Sequence, residues 1–320
     1  MISHIARDAV LAAAASGDLP VTATLRARRM GNLFAMTVVG ADDRSARAGL
    51  ALAAHLEARW SRFLTDSDIT SLNLAEGAVR QVHPHTVRLV REMLDAHRRT
   101  DGDFDPTLLP ALVAAGYGTS RVDPGRSTLL PASAVAPGRV DSISIDGDHV
   151  SLGRGTTLDP GGIGKGLAAD LAVEQAIADG ALGAMAQFGG DVVVGGHAPD
   201  GVAWRIGVED PFQPGRHLAV IRLARGAVAT SSRRKLRWTA PDGTQAHHLL
   251  DPRSIRSIET DVQAVTVIAP TGARAESLTK PGFLRPLDAF LAWLPTQGAA
   301  GLAVTADGGE HVSPNWSRYR

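Results

Sequence analysis

The stretch TLDPGGIGKGLAADLA, Thr157–Ala172, sets four glycines and one lysine between an Asp-Pro turn and an alanine-rich run. Asp-Pro opens a turn, and the Leu/Ala run that follows favours a helix over Gly166–Ala178. A glycine-rich turn that opens into a helix N-terminus presents bare backbone amides, which suits an anion, and Lys165 adds a charged donor. Named phosphate loops narrow the reading. A Walker A loop needs glycine where Asp159 stands and Ser or Thr where Gly166 stands, so the chain fails it twice. The dinucleotide pattern G-x-G-x-x-A is met by Gly164, Gly166 and Ala169, with Asp191 downstream where a ribose-binding acid could sit. From these residues alone two readings stand open: an anion or dinucleotide site, and a turn whose glycines allow close packing while Lys165 faces solvent.

Outward from the loop, element types alternate. Upstream, DSISIDGDHVSLG holds an Asp-Gly turn between alternating segments, a hairpin signal. Leu33–Ala41 is apolar and β-branched between glycines and reads as a strand. Ser45–Phe63 sets Ala48, Ala51, Leu52, His55, Leu56, Arg59, Trp60 and Phe63 at helical spacing, and residues 86–100 repeat the pattern with Val87, Leu89, Val90, Met93, Leu94 and His97. Strands follow near DVVVGG, WRIGVED, LAVIRLARGAVATS and AVTVIAP, then a helix from about Ala273. Hairpins mixed with helices predict an α+β fold, a mixed and largely antiparallel sheet with packed helices. Residues 1–27 read as an N-terminal extension and 28–320 as one domain.

Composition removes several function classes. The 320 residues carry 33 Lys plus Arg against 33 Asp plus Glu, so no basic field points to nucleic acid. The absence of cysteine removes disulfides, thiolate metal sites and cysteine nucleophiles. The apolar run Ala9–Ala15 is too short to span a bilayer and reads as helical. With its thin positive charge and no lipobox, the expectation is a cytoplasmic protein without a membrane span. His83 and His85 flank Pro84 with no matched carboxylate and read as structural. Each of the five Asp-Pro pairs, at Asp105, Asp123, Asp159, Asp210 and Asp251, marks a turn, and Asp191 reads as a turn-ordering residue too.

Taken in order, several segments resemble one family, the FAD-dependent protein FMN transferases of the ApbE type, over roughly residues 28–290. RRMGNLFAMTVVG is similar to its opening Met-Gly strand, SRFLTDSDITSLN to a helix-ending segment, and TDGDFDPTLLPAL to a Gly-x-Phe-Asp-Pro-Thr turn. LDPGGIGKGLAAD resembles its Asp-x-Gly-Gly-x-x-Lys-Gly-x-x-x-Asp loop, FGGDVVVGG its Gly-Gly-Asp strand start, and AVATSS and HLLDPR its Ala-Thr-Ser and His-x-x-Asp-Pro-Arg segments.

The resemblance implies that FMN passes from FAD to a Thr or Ser hydroxyl of an acceptor protein while AMP leaves. By position, Met30, Phe63, Asp103, Phe104, Asp105, Asp159, Lys165 and Leu250 would hold FAD, with flat contact from the two phenylalanines and phosphate charge met by Lys165. His248 would be the base for the acceptor hydroxyl, its ordinary pKa lying near working pH. Magnesium, in the family, is held by a loop carbonyl matching Gly162 and by an Asp and a Thr four residues later. In ARAESLTKPGFL those two positions are Glu276 and Lys280, with Thr279 one residue earlier. Expected ligands are therefore Gly162, Glu276 and Thr279, although an ammonium repels a cation. Two alternatives remain: a non-catalytic FAD-binding relative, and an NAD(P) oxidoreductase built on GKGLAA.

Overall fold

The computed structural model describes residues 20–320, so the helix expected at Ala9–Ala15 lies outside the described residues. The chain enters a hairpin, β1 (Thr22–Arg29) and β2 (Asn32–Val39). Met30 and Gly31 between them both have positive φ, 47° and 72°, which a tight two-residue hairpin turn with the sheet's own twist requires. Met30 tolerates that conformation with its N–H donated to Glu57 Oε1 at 2.8 Å. Because β1 starts at Thr22, the expected extension contributes an edge strand to the main sheet.

Helix α1 (Asp43–Trp60) follows, its N-terminus capped by Asp42, whose carboxylate accepts the Arg44 amide at 3.0 Å. Its buried face is Ala46, Gly49, Leu50, Ala53, Leu56 and Trp60. That face is rotated from the expected one, because small residues at 46, 49 and 53 let the helix approach the sheet; a Cβ on Gly49 would lie 3.1 Å from Met36. The helix ends at Trp60 rather than Phe63, since Ser61 is extended (φ −70°, ψ 119°). Helices α2 (Asp68–Asn73), α3 (Pro84–Arg99) and α4 (Leu109–Ala114) follow, and α3 buries Val87, Leu89, Val90 and Met93 as its periodicity predicts. Short strands β3 (Arg80–Gln81), β4 (Ser144–Asp146) and β5 (His149–Ser151) form a side sheet whose β4–β5 turn is Gly147-Asp148, one residue on from the expected Asp-Gly pair, since Asp146 stays in the ladder opposite His149.

The glycine loop then opens α5 (Gly164–Ala178), which leads to β6 (Gly183–Phe188), β7 (Asp191–Gly196), a hairpin of β8 (Trp204–Glu209) and β9 (His217–Leu223), and β10 (Gly226–Ser232). After a small hairpin of β11 (Arg237–Thr239) and β12 (Gln245–His247) come β13 (Val262–Ala269), α6 (Gly272–Leu278), α7 (Pro281–Leu284), α8 (Leu287–Trp293), β14 (Ala300–Thr305) and β15 (Glu310–Val312).

The main sheet runs β1-β2-β6-β7-β10-β13-β14-β15, and every pairing in it is antiparallel. A dinucleotide fold needs parallel strands joined by helical crossovers, so the NAD(P) oxidoreductase alternative loses its scaffold. Alternation along the strands makes the layers. Val193 of β7 packs with Phe34, Phe188 and Val265 under Leu167, Ala168 and Ala172 of α5. Its neighbours Val192 and Val194 face the other way, onto Trp204, Ile206 and Ile221 of the β8–β9 hairpin and Trp316. Each of these large apolar side chains contributes roughly 1.5–3 kcal/mol on burial. None of the described helices is long and apolar enough to cross a membrane.

Candidate active site

Where β6 turns into β7, the N-terminus of α5, the C-terminus of α6 and the end of β10 converge on a cavity of about 750 Å³. Met30, Phe63, Asp103, Phe104, Asp105, Asp159, Gly162, Lys165, His248, Leu250 and Glu276 all line it. Thr279 does not; it is fully buried behind the wall. Segments up to 246 positions apart in the numbering, from Met30 to Glu276, are thus brought to one place by the antiparallel sheet.

Lys165 forms the floor. Its ammonium pairs with Asp191 at 3.2 Å and with Glu276, both carboxylates being almost wholly buried. Burial would release its proton, but the two carboxylates outweigh burial and hold Lys165 above its ordinary pKa. Burial pushes Asp191 up to about 6, with Lys165 opposing it. Asp191 is therefore an ion-pair partner of Lys165, beyond the turn role expected of it. The other Glu276 oxygen accepts the Gly166 amide at 2.8 Å, so the chain's own carboxylate sits on the N-terminus of α5. Gly166 is glycine for packing: a Cβ there would come 2.2 Å from the Gly272 carbonyl of α6. Asp170, one turn further along α5, fastens the same contact by accepting the Gly272 and Ala273 amides at 2.6 and 3.0 Å.

Two adjacent histidines are sharply divided by β12 and the segment after it. His247 is buried, with Nδ1 accepting the Leu249 amide at 3.3 Å and Nε2 lying 3.0 Å from the Ile258 carbonyl and 3.1 Å from Arg233 Nε. His248 points into the cavity, and its Nδ1 is buried without a partner among the described residues. Burial first, and then the Lys280 charge, pull its pKa down to about 3. The site therefore holds His248 neutral well below the pH its residue type alone implies.

The mouth of the cavity is built by residues beyond the end of α1. The Arg62 guanidinium stacks 4.2 Å from the Phe63 ring centre and 4.7 Å from that of Tyr117, and reaches Asp159 at 3.5 Å. Asp159 also accepts the Gly161 amide at 3.1 Å. Asp105 accepts both the Thr107 amide (2.8 Å) and its hydroxyl (2.6 Å), while Asp103 is gripped by Arg285 and by Arg253 at 2.9 Å. These three carboxylates hold the walls in shape. Arg62 escapes a sequence reading because neither Gly nor Pro marks the end of α1, and Tyr117 because its place beside Arg62 depends on a contact 55 positions away in the chain.

The three residues expected to bind magnesium do not fit a divalent ion. Both Glu276 oxygens are engaged by Lys165 and Gly166. The Thr279 hydroxyl donates to the Glu276 carbonyl at 2.7 Å and meets Ser231 Oγ at 2.7 Å, away from the cavity. Lys280 Nζ reaches the same Glu276 carbonyl at 2.9 Å, and Lys280 Cε would touch a Cβ on Gly162 at 3.2 Å. An ammonium already stands among these oxygens, and its charge repels a cation. Away from the cavity, ring nitrogens of His55, His83 and His85 lie within 4.8 Å of one another. His83 Nδ1 accepts the His85 amide at 3.2 Å to cap α3, which commits its lone pair.

Comparison with known proteins follows this geometry. The sequence pattern of the ApbE family matches residues 30–303. A FAD:protein FMN transferase of Rhodobacter capsulatus is 28% identical over 77% of this chain, which spans 48% of that relative's length. The chain spans 66% of a Vibrio cholerae FAD:protein FMN transferase at 26% identity, and 77% of one from Salmonella typhimurium, also at 26%. The crystal structure of the Thermotoga maritima ApbE protein superposes with a TM-score of 0.82 at 25% identity, covering 93% of this chain and 99% of that one. A Pseudomonas stutzeri flavinyl transferase ApbE, in its apo form, gives 0.78 at 25% identity over 94% and 97%. On fold and sequence together, the chain belongs to the ApbE family.

Proposed function

We propose that the protein transfers FMN from FAD to a Ser or Thr hydroxyl of an acceptor protein, releasing AMP. The observation that carries this reading is the placing of His248 and two lysines in one cavity with the residues that the resemblance links to FAD. The acceptor oxygen attacks the phosphorus on the riboflavin side, the bond from that phosphorus to the bridging oxygen breaks, and the electron pair leaves with AMP. The hydroxyl proton passes to the His248 imidazole, which is neutral and able to take it. An arriving diphosphate brings negative charge beside Lys280 and so opposes the second of the two effects that depress His248, burial being the first. Lys165 and Lys280 meet the charge of the transferred group, the main requirement of phosphoryl transfer. Phe63, Phe104 and Met30 supply apolar contact for the ring systems.

The test separates binding from chemistry. FAD with a Thr-containing acceptor peptide is followed by chromatography for FAD, FMN and AMP, using the parent, Lys165→Ala and His248→Asn. The reading expects AMP and peptide-linked FMN from the parent, weak FAD binding in Lys165→Ala, and intact binding without transfer in His248→Asn. FAD bound tightly yet left whole by the parent would reduce the protein to a flavin-binding relative.

A further inference from the structure

Among the four charged groups at the cavity floor, Lys280 differs from Lys165. Lys165 is bracketed by the Asp191 and Glu276 carboxylates, so that trio is net negative, and Lys280 brings the group to neutrality. Among the described residues no carboxylate pairs with Lys280; its ammonium donates to the Glu276 main-chain carbonyl at 2.9 Å and approaches Ser231 Oγ at 3.4 Å. An ammonium has three donors, and Lys280 lines the cavity, leaving one N–H for a ligand. Its position is fixed from several sides. Gly162 admits its Cε, Thr279 and Glu276 hold the end of α6 beneath it, and Pro281 starts α7 directly after it at the first helical position, where proline is tolerated.

We infer that the Lys280 ammonium is the resident cation of this site, contacting the diphosphate of FAD directly, so that FAD binding and transfer need no divalent metal ion. The inference rests on the transferase reading for its ligand. The Glu276 main-chain carbonyl and Ser231 Oγ orient the lysine, and the Glu276 carboxylate, an expected magnesium ligand, is turned away to Lys165 and Gly166. A lysine that only capped the end of α6 through that carbonyl would have no effect on flavin affinity. One serving as the cation would.

The experiment is a titration of flavin fluorescence with the full chain, in excess EDTA and in excess magnesium, for the parent, Lys280→Gln and Lys280→Thr, with AMP release followed after a Thr-containing acceptor peptide is added to the same samples. The parent is expected to bind FAD equally in both conditions and to release AMP in EDTA. Lys280→Gln, which keeps length and loses charge, is expected to bind FAD at least about tenfold more weakly in both. Lys280→Thr exchanges the ammonium for an oxygen ligand and is expected to recover affinity when magnesium is added. Should the threonine variant not fold, as judged by near-ultraviolet circular dichroism, the parent and the glutamine variant still decide. Parent binding or AMP release that requires magnesium overturns the inference while leaving the transferase reading in place, as does unchanged affinity in Lys280→Gln. A parent that binds no FAD in either condition overturns both.

Discussion

Gly166→Ala is the substitution whose cost the geometry specifies most closely. The new methyl carbon would lie 2.2 Å from the Gly272 oxygen, 2.4 Å from its carbonyl carbon and 2.9 Å from the Ala273 nitrogen, all main-chain atoms of α6. Ordinary contact begins near 3.4 Å, so α5 and α6 must separate by about 1.2 Å at that point. Overpacking of this kind costs about 1–3 kcal/mol. Separation also stretches the Asp170 bonds to Gly272 and Ala273 and the Glu276 bond to Gly166, about 1 kcal/mol each. Replacing a helical glycine returns about 1 kcal/mol. The net expectation is destabilisation of about 4 kcal/mol, a melting temperature lower by roughly 6 °C. Gly164→Ala is the control, because its methyl would lie 3.5 Å from Pro160 Cβ and 4.0 Å from Trp60, ordinary contacts. Its stability is expected within about 1 kcal/mol of the parent. Calorimetric melting of the two variants is the assay. A Gly166→Ala protein that melts with the parent, or a Gly164→Ala protein damaged as severely, would refute helix packing as the reason for Gly166.

Other outcomes follow from the same contacts. His248→Asn should lower FMN transfer by about 10²–10⁴-fold with little change in FAD affinity, read by AMP release and by fluorescence titration. Asp103→Ala leaves the Arg285 and Arg253 guanidiniums without their shared buried carboxylate and should cost about 2–4 kcal/mol by urea unfolding, with Asp103→Asn milder. His248 has a folded pKa near 3 against 6.5 in the unfolded chain, so as pH falls below 6.5 the unfolded chain takes up a proton first and stability is lost towards pH 3. Above 6.5 it has no effect. The difference in melting temperature between parent and His248→Gln should therefore change across that window and stay flat above it.

What the sequence revealed was chiefly local. The hairpin around Gly147, the α3 stripe from Val87 to Met93 and the antiparallel character of the sheet follow from turn chemistry and periodicity, which neighbours in sequence decide. The α1 stripe was misplaced because Ala46, Gly49 and Ala53 are buried for smallness, which an apolarity count undervalues. The cavity-lining residues of the glycine loop, the Phe104 turn and the His248 segment were legible through the family resemblance. Their partners were not. That Glu276 sits on the end of α5 and pairs with Lys165, 111 positions earlier, depends on how α6 returns across the sheet. The identity of Lys280 announced a departure from the family's metal site, but only the fold shows its ammonium held by the Glu276 main-chain carbonyl and beside Gly162.

The account stands most directly on one measurement: mass spectrometry of a Thr-containing acceptor peptide after incubation with the protein and FAD, in parallel with quantification of AMP. It predicts a peptide heavier by one FMN unit joined through phosphate to the threonine oxygen, with one AMP for each peptide modified. An unmodified peptide beside intact FAD, from protein shown to bind FAD, would contradict it.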